Sequence, residues 1–537
     1  MARVSEIMDE ILRRSSLTQV SGKLFDFLKE SGISLDMELS EIDKNFIRDL
    51  ANRLIDFGIE SEKLKEIFKL FASRIGEFRG DLIQKIGAKL KPAEIPVDVR
   101  VRGFDEIVKE VNLRDAVMEA GRCLACIPPR CVEACPINFS VPAFLKLVAN
   151  GKIDEAYKLG LRFMPLLGVC GRICIGYCED ACTLGRIGLN PVSIRLIKRA
   201  VAENVDRIKL QPSPKPGKGI KVAIIGSGPA GLTAAYHLRL MGYSVTVFEE
   251  SEEVGGMLAQ AIPDYRLPRK VLRDEVKVLE SVGVEFRTST RIGDETGIDD
   301  LFRMGFKAIF ISTGAHRPRT LKIPGVELRG VHQALDFLKL TKSGKLRRLE
   351  GVVWVIGGGD VAIDSARTAL RLGAREVNIM YRRSRAEMPA SDEAIERALE
   401  EGIKIFFLAT PIEILGRDEK VIGMRCIKMR LGEPGPDGRR KPIPIPGSEF
   451  EVRADHVILA IGQRPDLSWI RPEDGIKLTE RGLIKIDENY STSRRGVFAG
   501  GDAVRGPSTF THATLDGLRA AYEIHKFLQR YSTTTIT

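Results

Sequence analysis

The sequence predicts an α/β chain with two doubly wound, parallel-sheet domains, preceded by a cysteine-rich helical domain and a further helical region. Three observations predict it. A strand, glycine turn, helix, strand pattern occurs twice; a third strand-to-helix junction lies near the C-terminus; and eight of the nine cysteines fall between Cys123 and Cys182. With 537 residues, 44% of them hydrophobic, the chain can bury several cores, because a single core stops growing near roughly 250 to 300 residues. No stretch approaches the roughly 18 uninterrupted apolar residues of a membrane span, and the opening MARVSEIMDEILRR is too charged for a secretory leader. A cytoplasmic protein is expected. The net charge of +11 does not mark a nucleic-acid binder, since no basic stripe is interleaved with aromatics and no nucleic-acid motif is present. A modest basic excess suits an acidic protein partner.

Residues 1–95 read as helices. Ser40 with Asp43 resembles a capping box before Ile42, Phe46, Ile47, Leu50 and Leu54, and Gly58 offers a stop. Leu64, Ile67, Phe68, Phe71, Ile75, Phe78, Leu82 and Ile86 then keep helical spacing along one face. The segment reads as a small bundle, as helices packed on the cysteine domain, or as a docking module for a partner.

The next domain, 96–210, carries Cys123-x2-Cys126-x4-Cys131-x3-Cys135-Pro136 and then Cys170-x3-Cys174-x3-Cys178-x3-Cys182. Disulfides seldom persist in a cytoplasmic chain, so the density points to metal. Soft, anionic thiolates hold iron well, and close spacing lets one loop wrap several corners of a cubane. Zinc is the rival reading, although zinc sites favour paired Cys-x2-Cys knuckles and only one such pair is present.

After the Pro- and Gly-rich linker at 211–219, a segment at 219–335 opens with KVAIIGSGPAGLTAAYHL and SVTVFEE. Gly226 permits a tight turn, Gly228 lets the backbone approach a pyrophosphate, and Gly231 lets helix and strand pack closely. Phosphate then sits on the helix N-terminus. Glu249 stands about 20 residues further on, where an acid accepts from a ribose hydroxyl; otherwise it is a solvated strand end.

The segment 336–455 repeats the turn as Gly357-x-Gly359-x-x-Ala362, but its second strand ends in Tyr381, Arg382 and Arg383. An acid there would repel a 2′-phosphate, whereas guanidinium forks attract it, so NADP is expected over NAD. An ordinary basic surface is the alternative. Asp360 costs affinity for pyrophosphate unless it points away or caps the helix. At 456–530, HVILAIGQRPD leads to GVFAGGDAV, where Gly500, Gly501 and Asp502 join a short strand to a helix. Such a junction brings a carboxylate to a sugar-like chain and a positive helix end to an electron-rich ring, although a GGD turn can also be unremarkable.

Together GRCLACIPPRCVEACPI, GRICIGYCEDACTLG, GSGPAGL, AIPDYRLP, GGGDVAIDSARTALRLGA, YRRSRAEMPA and GVFAGGDAV resemble the small-subunit family of NADPH-dependent glutamate synthase. Relatives in it include the large subunit of NADH-dependent ferredoxin:NADP oxidoreductase and the N-terminal half of dihydropyrimidine dehydrogenase. The resemblance runs from about residue 100 to 530 and implies two Rossmann-like domains, an NADP domain inserted in an FAD domain, behind a helical domain with two [4Fe-4S] clusters. Carried over, Gly226, Gly228, Gly231, Glu249 and Asp502 would hold FAD, and Pro229, Ala230, Gly256, Arg266, Gly314 and Gly501 are further expected cofactor-binding residues. Gly357, Gly359, Asp360, Val361, Arg382 and Arg383 would hold NADP(H). Cys123, Cys126, Cys131 and Cys182 would bind one cluster, and Cys135, Cys174 and Cys178 the other. Relatives complete that second site with a Glu or Gln after a Pro-Val-x-Ile segment, but this chain has Lys198 in the stretch after Pro191 to Ile194. A protonated lysine has no lone pair for iron, so Cys170 is expected as the fourth ligand.

The resemblance also implies hydride transfer from NADPH to the flavin and single electrons passed on through the clusters, with no side chain acting as acid or nucleophile. Thioredoxin-reductase-like chemistry needs a cysteine pair beside the flavin, and Cys426 is alone there. The implied partner is a redox protein or larger subunit in a hetero-oligomer: a ferredoxin, a glutamate synthase large subunit or another reductase subunit. A wiring or assembly subunit without nicotinamide turnover is the alternative.

Overall fold

The computed structural model describes residues 3–14, 21–73, 89–435 and 438–534. They form two compact units: Met1–Ala93 with Glu110–Gln211, and Glu94–Lys109 with Pro212–Thr537.

The first unit is helical. Helix Lys44–Asp56 is capped by Asp43, whose side chain accepts from Phe46 N at 2.9 Å. The cap is therefore Asp43 itself rather than the Ser40 box expected. The helix ends where Gly58 N donates to Ile55 O at 2.9 Å and Ile59 N to Leu54 O at 3.3 Å, with Gly58 at φ +85°. This is the left-handed stop that glycine supplies. Residues 61–73 form the next helix and bury Leu64, Ile67, Phe68 and Phe71; Ile75, Phe78, Leu82 and Ile86 lie outside the described residues.

These helices pack on the cysteine domain. Asn52 Nδ2 donates to Ile127 O at 3.2 Å, Arg130 pairs with Asp56 at 2.8 Å, and Leu90 N donates to Glu119 at 2.8 Å. Within the cysteine domain, helix Leu167–Ile173 crosses helix Ile194–Glu203 at Gly171. A Cβ on Gly171 would lie 2.8 Å from both Arg195 O and Arg199 N. Only glycine allows that approach, and it sets Cys170 against the face of the second helix.

The second unit holds two five-stranded parallel sheets. The first has the order Val497–Ala499, Phe306–Ile311, Lys221–Ile225, Ser244–Phe248, Glu285–Arg287. The central strands KVAII and SVTVF are buried at every residue but the first, as a parallel sheet covered on both faces requires. The second sheet has the order Val331–Gln333, His456–Leu459, Val352–Ile356, Glu376–Tyr381, Lys404–Phe407. Two expected boundaries therefore move. Val331–Gln333 and His456–Leu459, expected in the two flanking segments, both hydrogen-bond inside the second sheet, because apolar strands of similar composition do not announce their neighbour. Between them lies an antiparallel sheet of Ala409–Arg417, Lys420–Pro434, Arg440–Pro444 and Phe450–Arg453 that the reading of 336–455 did not separate.

The segment Glu94–Lys109, expected at the end of the helical extension and the start of the cysteine domain, belongs to this unit. Its Arg100 side chain, 3% exposed, lies 3.1 Å from Glu401 and 2.6 Å from Glu400. Glu401 is fully buried and also takes paired bonds from Arg367 at 3.0 and 2.7 Å and from Arg371 at 2.8 and 3.0 Å. Burial pushes the Glu401 carboxyl up, but the Arg367 and Arg371 hydrogen bonds more than reverse this and hold it at about 2.

Removing this carboxylate leaves guanidinium groups buried without their partner, so Glu401→Ala should cost about 3 to 5 kcal/mol in chemical denaturation. Because the folded-state pKa is depressed, the contribution is complete above the ordinary glutamate value of about 4.3 and is lost as pH falls toward 2. The wild type should therefore lose more stability than the variant over that window.

Candidate functional site

The two glycine turns sit at sheet switch points. In the first sheet the chain runs outward from Lys221–Ile225 through Ser244–Phe248, then returns to place Phe306–Ile311 on the other side. Loops leaving the carboxyl ends diverge there and open a crevice. Gly226 has φ +97°, and a Cβ on it would lie 2.6 Å from Ser312 O. A Cβ on Gly231 would lie 2.0 Å from Gly226 O, whereas one on Gly228 would meet nothing within 4 Å. The three glycines thus serve the turn, the helix packing and an open approach to the N-terminus of helix Pro229–Leu240, which begins with Pro229 and Ala230. That open cradle fits a pyrophosphate.

Glu249 is 4% exposed. One oxygen accepts from Ser227 N at 3.0 Å and Ser227 Oγ at 2.6 Å, and the other from Ser251 N at 3.0 Å. Ser227 Oγ in turn accepts from Gly255 N at 2.8 Å. Ser227 therefore ties the glycine turn to the acid and to the Gly255–Gly256 loop, and a Cβ on Gly256 would come within 3.0 Å of Gly228 Cα. The sequence reading missed Ser227; its only signal was a hydroxyl between the first two glycines. Each Glu249 oxygen keeps acceptor capacity for a sugar hydroxyl.

Gly314 follows the neighbouring strand with φ +74°. Gly501, at φ +68°, precedes the short helix Asp502–Arg505 after the outermost strand. The sheet order thus gathers Gly226, Gly314 and Gly501 at the ends of three adjacent strands. Asp516, fully buried and also missed, braces that last turn: it accepts from Gly501 N at 2.9 Å, Arg505 at 2.7 and 2.6 Å and Tyr490 Oη at 3.0 Å. Burial pushes the Asp502 carboxyl up to about 6, against the bond from Ser508 N and aided by Asp516.

The second turn repeats the construction. A Cβ on Gly357 would lie 2.2 Å from Ala460 O, and on Gly359 the nearest atom would be Pro389 Cγ at 3.8 Å. Asp360 and Val361 open helix Asp360–Arg371. Asp360 does not cap it; its Oδ1 is buried without a hydrogen-bond partner. An orphaned acceptor beside a helix N-terminus fits a ligand that brings a donor. Arg266, one of the expected cofactor-binding residues, pairs with Asp364 of this helix at 2.5 Å. At the strand end Arg382 is exposed, whereas Arg383 is 8% exposed and donates through Nε to Arg440 O at 2.7 Å. The two arginines are not equivalent: one faces solvent, the other binds the antiparallel sheet.

In the first unit, Cys123, Cys126, Cys131 and Cys182 line one pocket with Leu124, Val141 and Leu145. This is the grouping the resemblance implied. Burial pushes the Cys123 thiol up to about 11 and also raises Cys131 and Cys182. Sulfurs so placed become thiolates when a cation pays for their charge. Cys135, Cys170, Cys174 and Cys178 are all buried, and the Cys170 and Cys174 thiols hydrogen-bond to each other. Among the described residues no three His, Cys, Asp or Glu side chains converge as a single-ion site requires. The soft four-sulfur lining suits an iron–sulfur cluster.

Fold and site define an oxidoreductase with two nucleotide-binding domains and an iron–sulfur domain. Residues 220–517 match the family Pyridine nucleotide-disulphide oxidoreductase, and residues 100–209 match Dihydropyrimidine dehydrogenase domain II, 4Fe-4S cluster. The chain is 36% identical to the glutamate synthase [NADPH] small chain of Halomonas elongata, over 81% of this chain and 96% of that one. It is 40% identical to the NADP(+)-dependent formate dehydrogenase subunit beta of Moorella thermoacetica, over 75% of this chain, and spans only 60% of that subunit's length. Mycobacterium tuberculosis FprA, solved in complex with NADPH, shares the fold at 20% identity and a TM-score of 0.50, covering 60% of this chain and 86% of that one. The chain belongs to the glutamate synthase small-chain family of flavin- and pyridine-nucleotide-linked, [4Fe-4S]-containing oxidoreductases.

If Cys170 closes the second site, Cys170→Ala should lower iron from about eight to about four per chain, or leave a labile second cluster, with FAD retained. Full iron with unaltered cluster spectra would remove Cys170 from the ligands.

Proposed function

We propose that this protein is an NADPH-dependent electron-transfer oxidoreductase that binds FAD, NADP(H) and two [4Fe-4S] clusters and exchanges electrons with a protein partner. The observation that carries it is the contrast between the two strand ends. Glu249 closes the first glycine turn and suits a ribose hydroxyl; Arg382, exposed just after the corresponding strand of the second, suits a 2′-phosphate. When bound, FAD would accept hydride from the nicotinamide and the clusters would carry single electrons.

The chain's part is to bind and orient. Gly228 and the helix behind it receive the FAD pyrophosphate, and Gly359 with its helix receives that of NADP(H). Asp516 fixes the Gly501 turn from behind. No thiol chemistry competes, because Cys426, the one cysteine of the second unit, is fully buried in the antiparallel sheet and burial pushes its thiol up to about 12. Residues 123 and 182 with Cys126 and Cys131 hold one cluster; Cys135, Cys170, Cys174 and Cys178 hold the other. The partner is a redox protein or larger subunit in a hetero-oligomer, and the basic excess of the chain favours an acidic one. The site of action is the cytoplasm; among the described residues no helix is long and apolar enough to cross a membrane.

Anaerobic flavin reduction followed in a stopped flow tests the nucleotide assignment. Losing charge-assisted bonds worth about 1.5 to 3 kcal/mol, Arg382→Ala should lower kcat/KM for NADPH about tenfold to a hundredfold and barely move that for NADH. Equal losses for both nucleotides would exclude Arg382 as the reader of the phosphate. Arg383→Ala should instead lower stability.

A further inference from the structure

Helix Ile194–Glu203 buries an apolar face of Ile194, Ile197, Ala200 and Val201, and in the middle of that face stands Lys198, 2% exposed. Its Nζ lies 3.7 Å from Cys170 Sγ and 3.9 Å from the centroid of the buried Phe139 ring. The neighbouring cations are compensated: Arg195 pairs with Glu179 at 3.1 Å and Arg199 with Glu203 at 2.9 Å. Lys198 forms no carboxylate pair among the described residues, and the sulfurs of Cys170, Cys178, Cys174 and Cys135 are the charges it faces. An uncompensated buried ammonium is costly, so its counter-charge must be the cysteine group itself.

We propose that Lys198 is the built-in counter-cation of an all-cysteine cluster on Cys135, Cys170, Cys174 and Cys178, and that its charge holds the potential of this cluster above the value the four thiolates alone would set. The inference rests on the two-cluster reading above. Reduction adds one electron, and so one negative charge, to the sulfur-bound iron; a fixed positive charge in a water-poor site stabilises the reduced form more than the oxidised one. Phe139 contributes by excluding water on the far side of the ammonium while its ring face tolerates the cation. Lys198 is a positioning and tuning residue, not a ligand, since its protonated nitrogen offers no lone pair. Gly171 makes the arrangement possible by letting the two helices cross closely enough for Cys170 to reach it.

The test is a redox titration of the full-length holoprotein followed by electron paramagnetic resonance, with iron counted in parallel. Wild type should carry about eight irons; about four would overturn the two-cluster reading before any variant is made. Lys198→Met, neutral and similar in shape, should keep the irons and lower one midpoint by at least a tenfold change in the reduction equilibrium, about 59 mV for one electron. The other midpoint should stay fixed, and the moved signal must be the one that Cys170→Ala weakens. Unmoved midpoints at full iron, or movement of the other cluster, would overturn the role of Lys198 while leaving both clusters standing. Should Lys198→Met lose iron, Lys198→Arg decides: full iron with both midpoints near wild type supports the charge, and loss of the same iron overturns it.

Discussion

Close approach of backbone to backbone at the strand ends is the constraint on which the nucleotide-binding half depends. A Cβ on Gly231 or Gly357 would sit 2.0 to 2.2 Å from a carbonyl oxygen, closer than any side chain tolerates, while one on Gly228 would stand in open space. The first condition forces helix and strand together, and the second leaves the helix N-terminus bare for an anion. The parallel order of the sheets then does the assembling. Strands ending at Ile225, Ile311 and Ala499 are adjacent although they lie far apart in the chain, so three weak local signals become one site.

Charge compensation in water-poor places is the second theme, and it is met differently each time. Glu401 gathers Arg100, Arg367 and Arg371 and so fastens the segment Glu94–Lys109 to the second sheet's helices. Asp516 is matched by Arg505 and Tyr490 and spends its second oxygen on the Gly501 turn. Lys198 differs from both in having sulfur for its counter-charge. A buried pair left with one member is strongly destabilised, which ties the integrity of these places to groups distant in sequence.

Much of this was legible in the sequence because it is written in local spacing. Gly226, Gly228 and Gly231 act through positions a turn apart, and the cavity of Cys123, Cys126, Cys131 and Cys182 is largely one loop closed by a later cysteine. What escaped depends on long-range pairing. Nothing local in His456–Leu459 says that it lies beside Val352–Ile356, nothing in Asp516 says that it braces Gly501, and the antiparallel sheet around Cys426 looks like any run of β-branched residues. The twin arginines show the same limit: both follow the strand Glu376–Tyr381, yet Arg382 is exposed while Arg383 is buried and donates to Arg440 O. Nothing local in Arg266 says that its partner is Asp364, on a helix of the second sheet's domain.

The central claim is that one chain takes electrons from NADPH onto its flavin and onward to its clusters without help from a partner. Adding NADPH under anaerobic conditions to the isolated, fully loaded protein, while following flavin absorbance and the paramagnetic signal of reduced clusters, tests it most directly. The account predicts bleaching of the flavin together with a reduced-cluster signal. A flavin that stays oxidised in the presence of excess NADPH, in protein that carries its full iron and FAD, would contradict it.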